Sequence, residues 1–251
     1  MTDVFARLES FGDRFRLQRG LTPGDDWIGC DRLLDPWSDE LKRVLDAERR
    51  ASGQVSDHAT ALTVMAVYAG TVTAAAVLAW AVEGAVIDMR PHNVAIRLSP
   101  HHGFEAVGLR EPAVTRAPVE QLVAWVLDEH LLPLAQAMHV HTRAGLRQLY
   151  GGVAHGCAAA FCIASRRGGD VDQLETAYKT FLAAATGDPE RLGTVIRLKE
   201  GDREGLFYLR NTCCLYYTSA EQVKCSSCCL DSVDDRIANY RRVLADGVVP
   251  H

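Results

Sequence analysis

Apolar residues in the first part of the chain recur every three to four positions, which is the spacing of one face of an α-helix. The first such group consists of Val4, Phe5, Leu8, Phe11 and Phe15. Ser38 suits the N-cap of a second helix, which we expect to end near Arg50. A longer apolar helix is predicted to begin near Ser56 or Asp57. Helices are therefore predicted to precede any strand.

The segment 59–82 has no charged side chain and is long enough to cross a membrane. Alanine, valine and threonine dominate it, with Tyr68 and Gly70 near the middle, and this composition favours a tightly packed interior helix. No basic flank sets an orientation, since Asp57 precedes the segment and Glu83 follows it. We interpret the segment as a buried core helix and expect no stable membrane insertion.

Alternating apolar and polar positions predict two β-hairpins. The first joins 94–98 to 104–108, and the second joins 194–199 to 205–210. The second hairpin has a charged turn at 200–204, and its last strand leads directly into Cys213. Helical spacing covers the segments 118–140, 143–165 and 170–185. Pro133 should kink or divide the first of these helices, because proline cannot donate a helical hydrogen bond.

A last helix is predicted from the N-cap Ser232, with Asp235 three residues later, to Gly247. The chain has no βαβ alternation and no glycine-rich phosphate loop, so a nucleotide or flavin site is not expected. These patterns predict an α+β fold that is helix-rich, with two short antiparallel β-hairpins and a cysteine-rich C-terminal segment.

Composition and charge narrow the function. Of the 251 residues, 48% are hydrophobic and 24% are charged, as in ordinary folded proteins. The net charge of −5 argues against a nucleic-acid partner, because binding phosphates requires a basic surface. The N-terminal segment lacks the apolar stretch of a secretory signal, since it carries Asp3, Arg7, Glu9 and Asp13. We therefore expect a cytoplasmic protein.

Eight cysteines occur in the chain, and five of them lie between Cys213 and Cys229. In a reducing compartment such a concentration indicates metal or redox chemistry rather than disulfides. The other three are Cys30, Cys157 and Cys162, and the last two sit among alanines and Phe161 in a predicted core helix. We expect these three to be small apolar residues of the core.

The cysteine cluster begins with the adjacent pair Cys213 and Cys214, and Cys225 and Cys228 follow after ten residues. Four converging thiolates can hold a zinc ion or an iron–sulfur cluster. Structural zinc sites usually take each pair of ligands from a knuckle with two to four residues between them, and the adjacent pair has none. This spacing disfavours zinc without excluding it. Arg210 and Lys224 flank the pairs and would offset the negative charge of a cluster.

The stretch from Arg210 to Tyr217, Arg-Asn-Thr-Cys-Cys-Leu-Tyr-Tyr, together with Cys225-Ser-Ser-Cys228, closely resembles the C-terminal signature of FhuF-like ferric siderophore reductases. The resemblance implies a [2Fe-2S] cluster with the ligands Cys213, Cys214, Cys225 and Cys228. It also implies one-electron reduction of a ferric siderophore, expected to be of the hydroxamate type, by an oxidoreductase. With no nicotinamide or flavin motif, the electrons should come from a separate donor such as a ferredoxin or a reductase.

Two features depart from the family pattern. Members often carry a Leu-Trp-Gly-Asn-like stretch, and the nearest match here, Leu149-Tyr150-Gly151-Gly152, lacks the asparagine. A fifth cysteine, Cys229, directly follows the last expected ligand, and we expect it to be dispensable for the cluster. We expect residues 1–190 to form a helix-rich, substrate-binding region with one hairpin. Residues 191–251 should form the second hairpin and the cluster-binding segment, packed with the first region into one globular unit.

Two other classes of protein stay open at this point. A zinc-stabilised binding protein without a redox role would use the same cysteines. An iron–sulfur sensor would carry the cluster without turning over a substrate. A sensor would normally bring a DNA-binding module, and no basic recognition helix is found in the sequence.

Overall fold

A computed structural model gives the positions of residues 3–21, 26–186 and 189–247. The elements of the first part are α1 (Val4–Glu9), β1 (Gln18–Arg19), β2 (Ile28–Gly29), α2 (Asp39–Ser52), α3 (Asp57–Val72), α4 (Ala74–Glu83), β3 (Ala85–Ile87), β4 (Val94–Leu98), β5 (Phe104–Leu109) and β6 (Val114–Arg116). Those of the second part are α5 (Val119–Val123), α6 (Leu132–Thr142), α7 (Leu146–Ser165), α8 (Val171–Ala184), β7 (Gly193–Glu200), β8 (Arg203–Arg210) and α9 (Val233–Asp246). This is the α+β fold that the sequence predicts.

The first helix is shorter than its apolar pattern predicts. It ends at Glu9, and Gly12 has a φ of 114° that breaks the helical path. A separate 3₁₀ turn, Asp13–Phe15, then brings Phe15 into the core. The apolar spacing was therefore right about which side chains are buried, but a continuous helix to Phe15 was wrong.

Two serines cap the next helices as predicted. The Ser38 side chain accepts a hydrogen bond from the backbone N–H of Leu41, and Ser56 accepts one from Ala59. The long apolar segment forms two helices, α3 and α4, which meet at Thr73. Residues 57–83 are long and apolar enough to cross a membrane, but 83% of their most apolar window is buried inside the protein. The prediction of a buried core segment is confirmed, although one continuous helix was predicted.

The predicted hairpins form, and short strands that the sequence did not indicate extend the sheets. Strands β4 and β5 pair antiparallel, with β1 parallel to β5 and β2 antiparallel to β4 at the two edges. Strands β3 and β6 form a separate antiparallel pair. In the second hairpin β7 and β8 pair over their whole length, so the turn is only Gly201 and Asp202 rather than five residues.

Pro133 changes the winding of its helix instead of ending it. Helix α5 continues into a π-helix, Ala124–Leu131, and then into α6. Pro133 has no N–H for the regular bond to the carbonyl of Glu129, and the turn before it is wound more widely. The predicted helices around 143–165 and 170–185 correspond to α7 and α8, and α9 has the predicted caps Ser232 and Gly247.

Helix α7 crosses α3 at very short range, with Gly156 of α7 facing Gly70 of α3. A Cβ atom built on Gly156 would collide with the backbone of Gly70 and with Ala69. Gly152, one turn earlier, lies against the backbone of Ala66. The two helices can approach this closely only because these positions have no side chain.

We expect Gly156→Ala to lower the free energy of unfolding by about 1–3 kcal/mol, because the added methyl group forces the two helix backbones apart. Chemical denaturation followed by circular dichroism measures the change. Gly201→Asn is the matched control, since Gly201 has open space around it and a left-handed φ of 58° that asparagine tolerates. Equal stability of the Gly156→Ala and wild-type proteins would contradict the close crossing.

Candidate metal centre

The cysteine-rich loop, residues 211–232, connects β8 to α9 and is held against the junction of α2 and α3. Gln54 Nε2 donates to the carbonyl of Leu215 at 3.1 Å, and Thr63 Oγ1 donates to the carbonyl of Cys214 at 3.3 Å. The backbone N–H of Ala220 donates to the carbonyl of Ser52 at 2.9 Å. These bonds join the loop to helices that lie more than 140 residues earlier in the sequence.

The adjacent cysteines are followed by a sharp turn. Leu215 has a left-handed φ of 58°, a strained value for a residue with a branched side chain. Its N–H turns back to donate to Cys213 Sγ at 3.3 Å. In the second pair, the N–H of Cys228 donates to the carbonyl of Cys225 at 2.9 Å and closes a tight turn. Backbone N–H groups directed at sulfur stabilise thiolates and tune iron–sulfur centres.

The loop brings some of the predicted ligands together and separates others. The side chains of Cys214 and Cys225 interact with each other, and both residues face one large cavity. Cys213 instead faces a separate cavity of about 250 Å³. Cys228 is buried, and Cys229 beside it is partly exposed. Among the described residues, no three His, Cys, Asp or Glu side chains converge closely enough to hold one metal ion.

The hydrogen bond between Cys214 and Cys225 divides their acidities. It lowers the pKa of Cys214, with the nearby Arg210 charge adding to the effect, and it raises the pKa of Cys225. Cys213 lies apart from this pair, and burial raises its pKa to about 11. The loop therefore favours a thiolate at Cys214.

Arg210 is the main positive charge beside the cysteines. It is only 2% exposed, and its Nη2 has no hydrogen-bond partner among the described residues. Burial alone would lower its pKa, but the surrounding cysteine sulfurs raise it. A buried guanidinium with an unused donor is unfavourable unless an anionic group compensates it. An iron–sulfur cluster held by thiolates is such a group, so the residues present fit it.

Lys224 has a different role from the one its position in the sequence suggested. Its Nζ pairs with Asp231 within the same loop, at the surface. The Nη1 of Arg236, in the first turn of α9, donates to the carbonyl of Arg210 at 2.8 Å. The buried positive charge near the cysteines therefore comes from Arg210, whereas the charge of Lys224 is paired with Asp231.

The large cavity, about 1040 Å³, is enclosed by elements from distant parts of the chain. Its walls come from α3, α7, the hairpin of β4 and β5, strand β8 and the cysteine-rich loop. Besides Cys214 and Cys225, its polar lining includes Arg14, His155, Arg166, Tyr208 and Arg210. Of these five, only Arg210 was identified from the sequence, as part of the cysteine motif. The other four lie outside that motif.

The Leu149-Tyr150-Gly151-Gly152 stretch contributes glycine, not a polar side chain, to the site. A Cβ atom on Gly151 would collide with the side chain of Thr212, the residue immediately before the adjacent cysteines. Gly151 thus allows α7 to pack directly against the start of the cysteine-rich loop. In the sequence, Gly151 stood out only as part of a stretch similar to the Leu-Trp-Gly-Asn pattern of the family, without its asparagine.

The three remaining cysteines lie outside the loop and are buried. Burial raises the pKa of Cys30, Cys157 and Cys162 to about 12, so their thiols stay protonated. The predicted placement in the core is confirmed by this burial. Cys162 also contributes to the wall of the large cavity.

Residues 210–230 match the sequence model of a family described as the FhuF 2Fe-2S C-terminal domain. The resemblance to FhuF-like proteins is therefore confirmed, on a match that covers this segment alone. The chain carries a FhuF-type C-terminal domain, and its cofactor is a [2Fe-2S] cluster. Comparison with curated proteins finds no match.

We expect Arg210→Gln to lower the reduction potential of the cluster by tens of millivolts, because a buried positive charge favours the more negative, reduced state. The fraction of protein that keeps its cluster during gel filtration should fall as well. The reduction potential of Arg210→Lys should lie between those of the wild-type protein and Arg210→Gln. Lys224→Gln is the control, since its charge is already paired with Asp231 at the surface. Redox titration monitored by visible absorbance measures the potentials, and equal shifts in the two glutamine variants would contradict the role of Arg210.

Proposed function

We propose that the protein is a ferric siderophore reductase that transfers one electron to the Fe(III) of a siderophore and releases Fe(II) in the cytoplasm. The supporting observation is the large cavity, which has Cys214 and Cys225 in its wall. Its volume of about 1040 Å³ falls near the upper end of small-molecule pockets, at about 300–1,000 Å³. A [2Fe-2S] core would fill only a small part of it.

The ligands in this proposal are Cys213, Cys214, Cys225 and Cys228. The cavities on the two sides of the adjacent cysteines favour a two-iron core over a single ion, because the two sulfurs point to different sides of the loop. A core with separated attachment points needs no convergence on one position. Cys213 and Cys214 line different cavities, which disfavours a single zinc ion but is compatible with a two-iron cluster.

In this proposal, both the N-terminal and the C-terminal part of the chain contribute to the substrate cavity. Residues 1–190 supply most of the substrate-facing wall, including Arg14, His155 and Arg166, and residues 191–251 supply the cluster loop and β8. The proposed location in the cytoplasm agrees with the free cysteines of the loop, since a reducing compartment keeps thiols available as ligands.

Iron release follows from the change in charge of the iron. Siderophore oxygens are hard ligands that bind Fe(III) strongly and Fe(II) weakly, so one electron loosens the complex. When bound, the [2Fe-2S] cluster supplies electrons one at a time. The chain's own residues bind the chelate beside Cys214, exclude bulk water and keep Arg210 as a fixed counter-charge. Each electron comes from an external donor, for which a ferredoxin or a reductase is proposed.

The protein purified without oxygen should be reddish-brown, with about two irons and two acid-labile sulfides per chain. Dithionite should bleach its visible spectrum, and adding a ferric siderophore should restore it while a ferrous-specific chelator captures one Fe(II) per cluster. Ferric hydroxamates are included, since this type is expected from the family resemblance. Stopped-flow absorbance measures the rate.

Other results would point to the other classes of protein. A colourless protein with one zinc per chain would favour the zinc-binding alternative. A reduced cluster that no ferric chelate oxidises would favour a sensor. Either result would contradict the proposed reductase.

Cys225→Ser and Cys228→Ser should each lose the cluster, because serine replaces a proposed iron ligand. Cys157→Ser and Cys162→Ser should keep it, since these residues are buried in α7 and are not part of the cysteine-rich loop. Iron content and the visible spectrum after anaerobic reconstitution measure the difference. Cluster loss in all four variants would contradict the ligand assignment.

Cys229→Ser tests the register of the second pair. If Cys228 is the ligand, the Cys229 variant should keep the wild-type spectrum. If Cys229 can replace its neighbour, Cys228→Ser should keep a distorted cluster that only the double substitution removes. Complete cluster loss in Cys229→Ser alone would show that the ligand assignment is wrong by one position.

A further inference from the structure

The large cavity carries positive charge that no carboxylate neutralises. Three of its arginines use Nε in the same way, as donors to backbone carbonyl groups. Arg14 donates to Gly70, Arg166 to Cys162 and Arg210 to Thr212. Among the described residues, none of these three arginines forms an ion pair with Asp or Glu. Their remaining N–H groups are available to a ligand.

Most other charges of the lining are already paired. Arg16 lies 3.3 Å from Asp13, and His102 lies 2.9 Å from Glu48. Glu105 pairs with Arg97 and Lys224 with Asp231 in the same way. Glu221 accepts a hydrogen bond from the Tyr216 hydroxyl and keeps its negative charge. When the cluster offsets Arg210, the charges of the lining without an ion pair are those of Arg14 and Arg166, opposed by the single carboxylate of Glu221.

Buried polar atoms with no partner lie in the same wall. Among the described residues, Arg210 Nη2, Tyr208 Oη and His155 Nδ1 have no hydrogen-bond partner. Arg210 and Tyr208 are 2% and 5% exposed. Burial, together with the charges of Arg210 and Arg14, lowers the pKa of His155 to about 3, so its ring is neutral. Arginine charges without an ion pair, together with unpartnered polar atoms on residues of the lining, match an oxygen-rich anion.

We infer that the large cavity binds ferric chelates whose net negative charge lies on carboxylate or α-hydroxycarboxylate groups, in preference to neutral hydroxamates. This inference rests on the proposed function for the identity of the occupant as a ferric chelate. The planar guanidinium groups of Arg14 and Arg166 match the two oxygens of a carboxylate. Arg210 lies beside the cysteines in the same lining, where it reduces the repulsion between an anionic cluster and an anionic substrate.

Binding is measured with redox-inert Ga(III) complexes, so that it does not depend on electron transfer. The cluster-loaded protein is titrated with Ga(III)-citrate and with the Ga(III) complex of a neutral trihydroxamate, by calorimetry at low and high salt. We expect Ga(III)-citrate to bind at least about tenfold more tightly at low salt and to lose affinity as salt rises. Equal or tighter binding of the trihydroxamate would overturn the inference.

Arg14 provides the variant, because it is exposed and lines the cavity, and its Nε donates to the carbonyl of Gly70. Arg14→Gln should weaken Ga(III)-citrate binding about fivefold and leave trihydroxamate binding unchanged. Arg14→Lys should keep most of the affinity, and Arg43→Gln, an exposed change on α2, should have no effect. Equal weakening of both complexes by Arg14→Gln would contradict the role of charge.

Two further measurements distinguish a failure of this inference from a failure of the proposed function. Metal-free citrate that binds as tightly as its Ga(III) complex would overturn the inference, since the cavity would then recognise any small anion. Ferric citrate that binds but does not oxidise the reduced cluster would contradict the reductase function and leave the binding preference supported.

Discussion

The close contact of helix α7 with its neighbours is the constraint on which the rest of the structure depends. Gly156 and Gly152 bring its backbone against α3, and Gly151 brings it against Thr212 at the start of the cysteine-rich loop. Because α3 also binds the loop through Thr63, the two helices and the loop form one packed unit. A side chain at any of these glycines would move the wall of the large cavity relative to Cys214.

Positive charge occurs in two regions of the site, one beside the cysteines and one elsewhere in the large cavity. Arg210 is buried beside the cysteines, where thiolates offset its charge. Arg14 and Arg166 lie further along the large cavity, and the described residues provide no carboxylate for them. The same arrangement favours an anionic cofactor beside Arg210 and is compatible with an anionic ligand at Arg14 and Arg166.

Local sequence signals predicted the elements well where the signal was itself local. The serine caps at Ser38, Ser56 and Ser232 and the two hairpins form as expected. The errors arose where a long-range pairing or a single backbone angle decided the outcome. Strand β1, for example, is two residues long and exists because it pairs with β5, about 90 residues away. Periodicity in two residues cannot be detected.

The sequence by itself indicated the cofactor, since the cysteine motif that resembles the FhuF-like family lies within a short stretch of chain. The cysteine spacing alone left zinc open. The tertiary structure alone decided what surrounds that segment. Arg14, His155 and Arg166 meet Arg210 and Cys214 only after helices and strands from both halves of the chain have packed. The residues of a motif are close together in the sequence, whereas the residues that line a cavity come together only when the chain folds.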